Sequence, residues 1–202
     1  MKIVGLTGSI ATGKSTVAEM FRGFGFYIVD ADELAHSVYK KNEAAYFRII
    51  EKFGKSVLNE KGEIDRKKLG DLVIRDKEKL KIIENIVHPA VEVKREEIFN
   101  EIRKKDPNAR VIYDVPLLFE KNLKDKFDCV VVVYCPPSLQ IQRLMIRDGI
   151  SKSEALKKLD LQLSIEEKRR MADIVIDNSG SLEDTYKQVM EIVKRIDKGY
   201  DC

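Results

Sequence analysis

The stretch KIVGLTGSIATGKSTVAEMF, residues 2–21, places an apolar strand and an amphipathic helix on either side of a glycine-rich turn. Inside the turn, Gly8-Ser9-Ile10-Ala11-Thr12-Gly13-Lys14-Ser15 follows the G-x-x-x-x-G-K-[ST] pattern of a phosphate-binding loop. Gly8 and Gly13 let the backbone turn tightly and aim successive N–H groups at phosphate oxygens. The helix that starts near Lys14 turns the positive end of its dipole on the same oxygens. Lys14 can reach the β- and γ-phosphates of a nucleoside triphosphate, and the Ser15 hydroxyl can ligate Mg²⁺. Such a loop needs a strand before it and a helix after it, and the sequence supplies both. Where the terminal phosphoryl group goes depends on the rest of the chain.

Beyond the loop the pattern alternates. Strands are expected at 2–8, 27–31, 110–116, 129–135 and 174–177, all short, β-branched and mostly apolar throughout. Strands that are buried on both faces read this way, as in a parallel sheet covered by helices. Helical patterns at 14–24, 32–53, 137–147, 151–170 and 181–196, with several pieces from 65 to 104, separate them. The expected fold is a three-layer α/β phosphate-loop core. Residues 54–104 interrupt the alternation: they contain no good strand and are rich in Lys and Glu. A crossover needs only about a dozen residues, so the surplus reads as a helical insertion. It either covers a substrate or forms a solvated hairpin that only packs. The expected organisation is one domain over 1–202, with a nucleotide-binding core at 1–53, 105–142 and 171–202, the insertion at 54–104 and a helical lid at 143–170.

Composition narrows the classes. A chain of 202 residues fits one domain with a substantial core. A formal charge of +3 gives no ground for a nucleic-acid partner. No apolar run approaches the roughly 20 residues that cross a bilayer, so no membrane partner is expected. The first residues show no signal-peptide pattern. Cys129, Cys135 and Cys202 are odd in number and lack C-x-x-C spacing, which suggests free thiols, a cytoplasmic setting and no structural zinc. Cys129 and Cys135 flank a Val-rich run and read as core residues. A monomer or small homo-oligomer is expected.

Further polar residues gather at expected strand ends. In YIVDADELAHSVY, Asp30 and Asp32 sit at the carboxyl end of the second strand, the edge where parallel sheets bind ligands. Either can accept a proton from an attacking hydroxyl, or one can cap the helix that begins near Glu33. In RVIYDVPLLFE, Asp114 ends a strand, at the second acidic position that supports Mg²⁺ in phosphate-loop enzymes, or it simply stops the strand before Pro116. Leu117, Leu118 and Phe119 then line a pocket or cover the sheet edge. Arg143 and Arg147 are four apart, hence on one helix face. Their forks suit phosphoryl oxygens, although solvated arginines show the same spacing. His88-Pro89 marks either a ligand contact or a helix end. His36 reads as structural or as the rim of a pocket.

These stretches together resemble the dephospho-CoA kinase family over almost the whole chain. The resemblance runs through GLTGSIATGKS (5–15), DADELAH (30–36), IENIVHPAV (83–91), DVPLLFE (114–120), QRLMIRD (142–148), ALKKLDLQ (155–162) and EKRRMADIVIDNSG (167–180). The loop is common to many families, whereas DVPLLFE, the His-Pro element and ADIVIDNSG are distinctive. The resemblance implies ATP and Mg²⁺ as cofactors, dephospho-CoA as acceptor, a nucleotide-binding core, a helical part that grips the CoA precursor, and a lid. It implies Asp32 as the base for the ribose 3′-hydroxyl and Arg143 and Arg147, with Lys14, as the cations of transfer. ATP contacts are implied at Gly8, Ser9, Ile10, Ala11, Thr12, Gly13, Lys14, Ser15 and Thr16, with the adenine end near Asn178 and Gly180. Thr7, Asp32, His88, Asp114 and Leu117 are implied on the acceptor side, and Ser15 and Asp114 at the metal.

The chain departs from the family twice. His36 stands where Arg is frequent, and Lys158 where a lid Arg is common. Lysine keeps the charge but loses the bidentate fork. Other classes fit less well. A nucleoside monophosphate kinase shares the loop and lid and is separated by its acceptor. A GTPase switch would need N-K-x-D and D-x-x-G, which the chain lacks. A non-catalytic ATP-binding adaptor would leave Asp32 and the arginines dispensable.

Overall fold

The structure, a computed structural model, describes residues 1–74 and 76–198. All five expected strands form: β1 (Lys2–Thr7), β2 (Tyr27–Asp30), β3 (Arg110–Asp114), β4 (Cys129–Tyr134) and β5 (Ile174–Asp177). They make a parallel sheet in the order β2-β3-β1-β4-β5. Every residue of β4 is buried, as expected for a strand with layers on both faces. β1 is central: the next strand in sequence, β2, lies to one side of it and β4 to the other. The carboxyl end of such a strand is where α/β sheets bind ligands, and here it leads into the phosphate loop.

Helix α1 (Lys14–Gly23) follows the loop, and α9 (Leu182–Asp197) closes the described chain. Val17, Ala18 and Phe21 of α1 and Val189, Ile192, Val193 and Ile196 of α9 share one core cluster with Val4, Leu6, Ile112, Val131, Val133 and Ile176. In each helix these residues recur at three- and four-residue steps, so one stripe faces the sheet. Ser181 and Asp184 cap α9 reciprocally, satisfying two N–H groups that the helix itself leaves open. Between β4 and β5 run α6 (Pro137–Asp148), α7 (Lys152–Leu159) and α8 (Ile165–Met171). The single helical stretch expected over 151–170 is thus two helices. Ser164 accepts from the N–H of Glu167 and starts a new helix with its own capping box.

The chain divides into two compact units, Met1–Asp30 with the stretch from Asp106 on, and Ala31–Lys105. The second unit holds α2 (Ala31–Ser37), α3 (Ala44–Phe53), α4 (Arg66–Val73) and α5 (Lys77–Lys105). Its own core contains Val38, Ala45 and Ile49 together with Leu69, Ile83, Ile86 and Val87. Residues 31–53, expected with the sheet, therefore belong to the helical unit, because their apolar side chains are buried there. The helix expected over 32–53 is broken between Ser37 and Ala44, where Asn42 takes a left-handed φ of 72°. His88-Pro89 does not end a helix. α5 continues through Pro89, with Ile83, Ile86 and Val87 buried before it and Phe99 and Ile102 after it. Burial on both sides outweighs the local cost of proline.

Cys135 is free and buried, as expected, but Cys129 is disulfide-bonded, against the reading of free thiols. Spacing along the chain does not reveal which sulfurs approach to bonding distance. Cys202 lies outside the described residues. Among the described residues no helix is long and apolar enough to cross a membrane.

Phe21 is fully buried and meets Phe26 edge to face at 5.2 Å. Phe21→Ala should therefore destabilise the protein by about 3–5 kcal/mol, through lost transfer energy and the cavity left behind. Thermal or denaturant unfolding checks this, and a change below about 1 kcal/mol would contradict the packing described.

Candidate active site

The phosphate loop is anchored from behind through its carbonyl groups. Gln140 Nε2 on α6 donates to Ile10 O at 2.8 Å, and Asn178 Nδ2 donates to Thr12 O at 2.8 Å. Thr12 Oγ1 donates to Ser9 O at 2.9 Å, and Arg143 Nη1 reaches Thr12 O at 3.5 Å. Loop N–H groups are engaged as well: that of Ile10 donates to Gln162 Oε1 and that of Thr12 to Ser9 O. Gly13 is essential to this arrangement. Its φ is 91°, and a Cβ there would fall 2.1 Å from Asn178 Nδ2. At Gly8 a Cβ would meet Thr12 Oγ1 at 2.6 Å and Val133 O at 2.8 Å.

Lys14 and Asp114 form an ion pair at the carboxyl ends of β1 and β3. Asp114 is 4% exposed, and a carboxylate so buried needs a cation or several donors. The register aligns Asp114 with Leu6 on one side and with Asp30 on the other. The sheet thereby brings together the loop lysine, Asp114 and Asp30. Ser15 and Thr16 lie in the first turn of α1 and are exposed. Thr7 is fully buried, and its hydroxyl donates to Pro116 O at 3.2 Å. Of the three apolar residues after Pro116, Leu118 and Phe119 are buried and Leu117 is 36% exposed.

Asn178, expected beside the adenine, has its side chain committed to the loop. Its amide donates to Thr12 O, and its Oδ1 accepts from Thr185 Oγ1 at 2.9 Å. Arg143 Nη2 donates to Asn178 O at 2.9 Å, so the arginine spans loop and β5 end. Gly180 is exposed just before the cap of α9. Arg147, one turn from Arg143, is exposed and pairs with Asp148, which Lys158 also holds at 2.7 Å. These two cations keep the Asp148 carboxyl down at about 2, the hydrogen bond from Arg147 being the larger cause. Burial raises the Cys135 thiol above its ordinary range, with Arg143 opposing. A neutral, inert sulfur at the back of the loop follows.

Asp32 and His88 stand in the helical unit. Asp32 is exposed in the first turn of α2, whereas Asp30 immediately precedes that helix, at the position an N-cap occupies. His36 is exposed in the last turn of the same helix. His88 is exposed on α5 and lines a cavity of about 310 Å³ together with Tyr39, Arg66, Leu69, Glu84 and Val87. Burial pushes the Tyr39 hydroxyl up from its ordinary range.

Several participants were not expected. Gln140 is 2% exposed, and its only sequence signal is an amide on the buried face of a helix. Ser9 Oγ donates to Leu163 O at 3.1 Å, and Ile10 N donates to Gln162 Oε1 at 3.1 Å. These bonds join residues more than 150 positions apart, which no local pattern encodes.

The dephospho-CoA kinase family model matches residues 2–184. Among curated proteins, the dephospho-CoA kinase of Carboxydothermus hydrogenoformans is 42% identical over 201 residues, covering 96% of this chain and 94% of its own. That of Aquifex aeolicus is 43% identical, covering 97% and 98%. Among solved structures, dephospho-CoA kinase from Campylobacter jejuni matches with a TM-score of 0.74 at 35% identity, covering 98% of this chain and 99% of its own. A Thermus thermophilus protein matches with a TM-score of 0.78 at 34% identity, covering 96% and 97%.

Gly13→Ala should abolish the rise in melting temperature that ATP produces. In the wild type, ATP at a hundred times its Kd adds about 2.7 kcal/mol. An undiminished shift in the variant would refute the close approach of Gly13 and Asn178 as a requirement of binding.

Proposed function

The chain belongs to the dephospho-CoA kinase family, and on that premise we propose that Lys14, Asp32, Arg143 and Arg147 divide the work of phosphoryl transfer. The enzyme moves the γ-phosphate of ATP to the ribose 3′-hydroxyl of dephospho-CoA, the last step of coenzyme A synthesis. The observation that carries the division of roles is the Lys14–Asp114 pair, set beside a loop whose carbonyls are tied back.

Little covalent chemistry is asked of the protein in such a transfer. Positioning and charge stabilisation supply most of the rate. The loop amides between Gly8 and Thr16 other than those of Ile10 and Thr12, which Gln162 Oε1 and Ser9 O already engage, hold the phosphates of ATP together with the α1 dipole. Lys14 exchanges its contact with Asp114 for one with the β- and γ-phosphates, both partners being anionic. Arg143, already on Thr12 O and Asn178 O, keeps loop and β5 end aligned near the nucleoside, with Gly180 beside it. Arg147 and Lys158 share Asp148, and an incoming phosphoryl group competes with that carboxylate for them. Lysine at 158 offers a point charge where arginine would offer a fork. Asp32 accepts the proton of the 3′-hydroxyl, and Thr7, His88 and Leu117 are assigned to the acceptor's side.

Mg²⁺ fits the donors present. Ser15 supplies a hydroxyl and Asp114 a carboxylate, both hard oxygen ligands, and Mg²⁺ characteristically takes one or two protein ligands and completes its shell with phosphates and water. Among the described residues no three His, Cys, Asp or Glu side chains gather as a metal cluster. When bound, the ion would neutralise charge on the β- and γ-phosphate oxygens. We assign the helical residues 54–104 to acceptor binding and 143–170 to the lid. A cytosolic location and a monomeric or small homo-oligomeric state belong to the same proposal. The disulfide at Cys129 removes the thiol count as a ground for a reducing compartment.

Asp32→Asn should leave ATP binding intact and lower kcat by about 10²–10⁴-fold, the usual span of a lost general base. ADP release with and without dephospho-CoA measures it, and turnover near the wild-type rate would remove Asp32 from the role of base.

A further inference from the structure

Lys168 on α8 is fully buried, although lysine is almost never so unless paired. Its ammonium donates to Pro116 O at 2.8 Å and pairs with Glu120 Oε1 at 2.8 Å. Both partners belong to the stretch that follows Asp114. Pro116 O also accepts from Thr7 Oγ1, at the end of β1. Glu120 Oε1 also accepts from Leu163 N at 3.0 Å, and its Oε2 is buried without a hydrogen-bond partner among the described residues. Leu163 and Gln162, in the connection between α7 and α8, are in turn bound to Ser9 and Ile10 of the phosphate loop. One buried cation thus joins the two segments that flank the loop.

An apolar pair of similar volume would commonly stabilise a fold as well as a buried ion pair does. The charge here also sits within the field of the site. Burial lowers the Lys168 ammonium from its ordinary range, Glu120 opposes this, and the Lys14 ammonium adds to the lowering.

We propose that Lys168 is a positioning residue for phosphoryl transfer, which acts through Glu120 and Pro116 to hold the Asp114 segment and the Gln162–Leu163 connection against the phosphate loop. The inference rests on the kinase reading above and adds to it a residue that touches neither nucleotide nor acceptor. With the connection held, the N–H of Ile10 faces a side-chain carbonyl instead of water, and the polar backbone beside the transferring group is closed. Loosening the clamp admits water to the loop. The consequence concerns the fate of the phosphoryl group more than the amount of folded enzyme.

The test is the ratio of ATP hydrolysis without acceptor to transfer with dephospho-CoA, measured for wild type, Lys168→Met and Glu120→Gln. A fall in folded fraction lowers both rates equally and leaves the ratio unmoved. The proposal expects transfer to fall about tenfold or more and the ratio to rise at least about fivefold in both variants, as water gains access. A ratio within about twofold of wild type in Glu120→Gln, which keeps the shape of the side chain, overturns it. Should Lys168→Met fail to fold, Glu120→Gln decides by itself. Wild type assayed alongside keeps the two readings apart: its dephospho-CoA-dependent ADP release establishes the reaction, and unchanged ratios in the variants then remove Lys168 alone.

Discussion

The buried Asp114 carboxylate and the Lys14 ammonium constrain each other, and the site is arranged around that constraint. A carboxylate at the carboxyl end of an interior strand, almost out of contact with water, is costly unless a cation meets it. Lys14 meets it because the loop returns the chain over the end of β1, and β1 lies beside β3 in register. The same lysine is the group that a triphosphate would engage. In the proposed reaction Asp114 and the nucleotide would compete for one charge, and the Asp114 oxygen set free on exchange would be the one offered to a hard cation.

Around this pair the fold spends polar side chains on holding backbone still. Gln140, Asn178 and Thr12 are buried, and each donates to a carbonyl of the loop. Three distant parts of the sequence, α6, the end of β5 and the loop itself, converge on a few peptide groups. Preorganisation of this kind is useful for transfer because donors already in place need not reorganise as charge develops. The cost appears as glycine at position 13, where a left-handed φ and the Asn178 amide together exclude a side chain.

The outer elements contribute in a different way. Asp148 gathers Arg147 and Lys158 from successive helices, α6 and α7, into one exposed cluster. Exposed pairs of this sort contribute little stability, about 0–1 kcal/mol, and under the proposed function they would present cations that an anion can redirect. Lys168 and Glu120 are the buried counterpart, where charge is enclosed and geometry is fixed.

Much of this was legible in the sequence. The five strands appear within a residue or two of their expected limits, since a β-branched apolar run bounded by turn residues has few other uses. The loop, with Lys14 and Ser15 opening α1, follows from glycine spacing and helix dipole. Local pattern failed where distant packing decided. The break before Ala44, the restart at Ile165 and the passage of α5 through Pro89 depend on which side chains find a core, and residues 31–53 join the helical unit for the same reason. Asp114 was recognised as important, but its pairing with Lys14 and the commitment of Asn178 to Thr12 arise only from strand register and loop return. The amino-acid order by itself determined that the chain builds a parallel sheet with a phosphate loop after its first strand, because periodicity and glycine chemistry act over a few residues. Only the tertiary structure decided which carbonyls brace that loop and that Lys168 is buried behind it, because those contacts join residues separated by most of the chain.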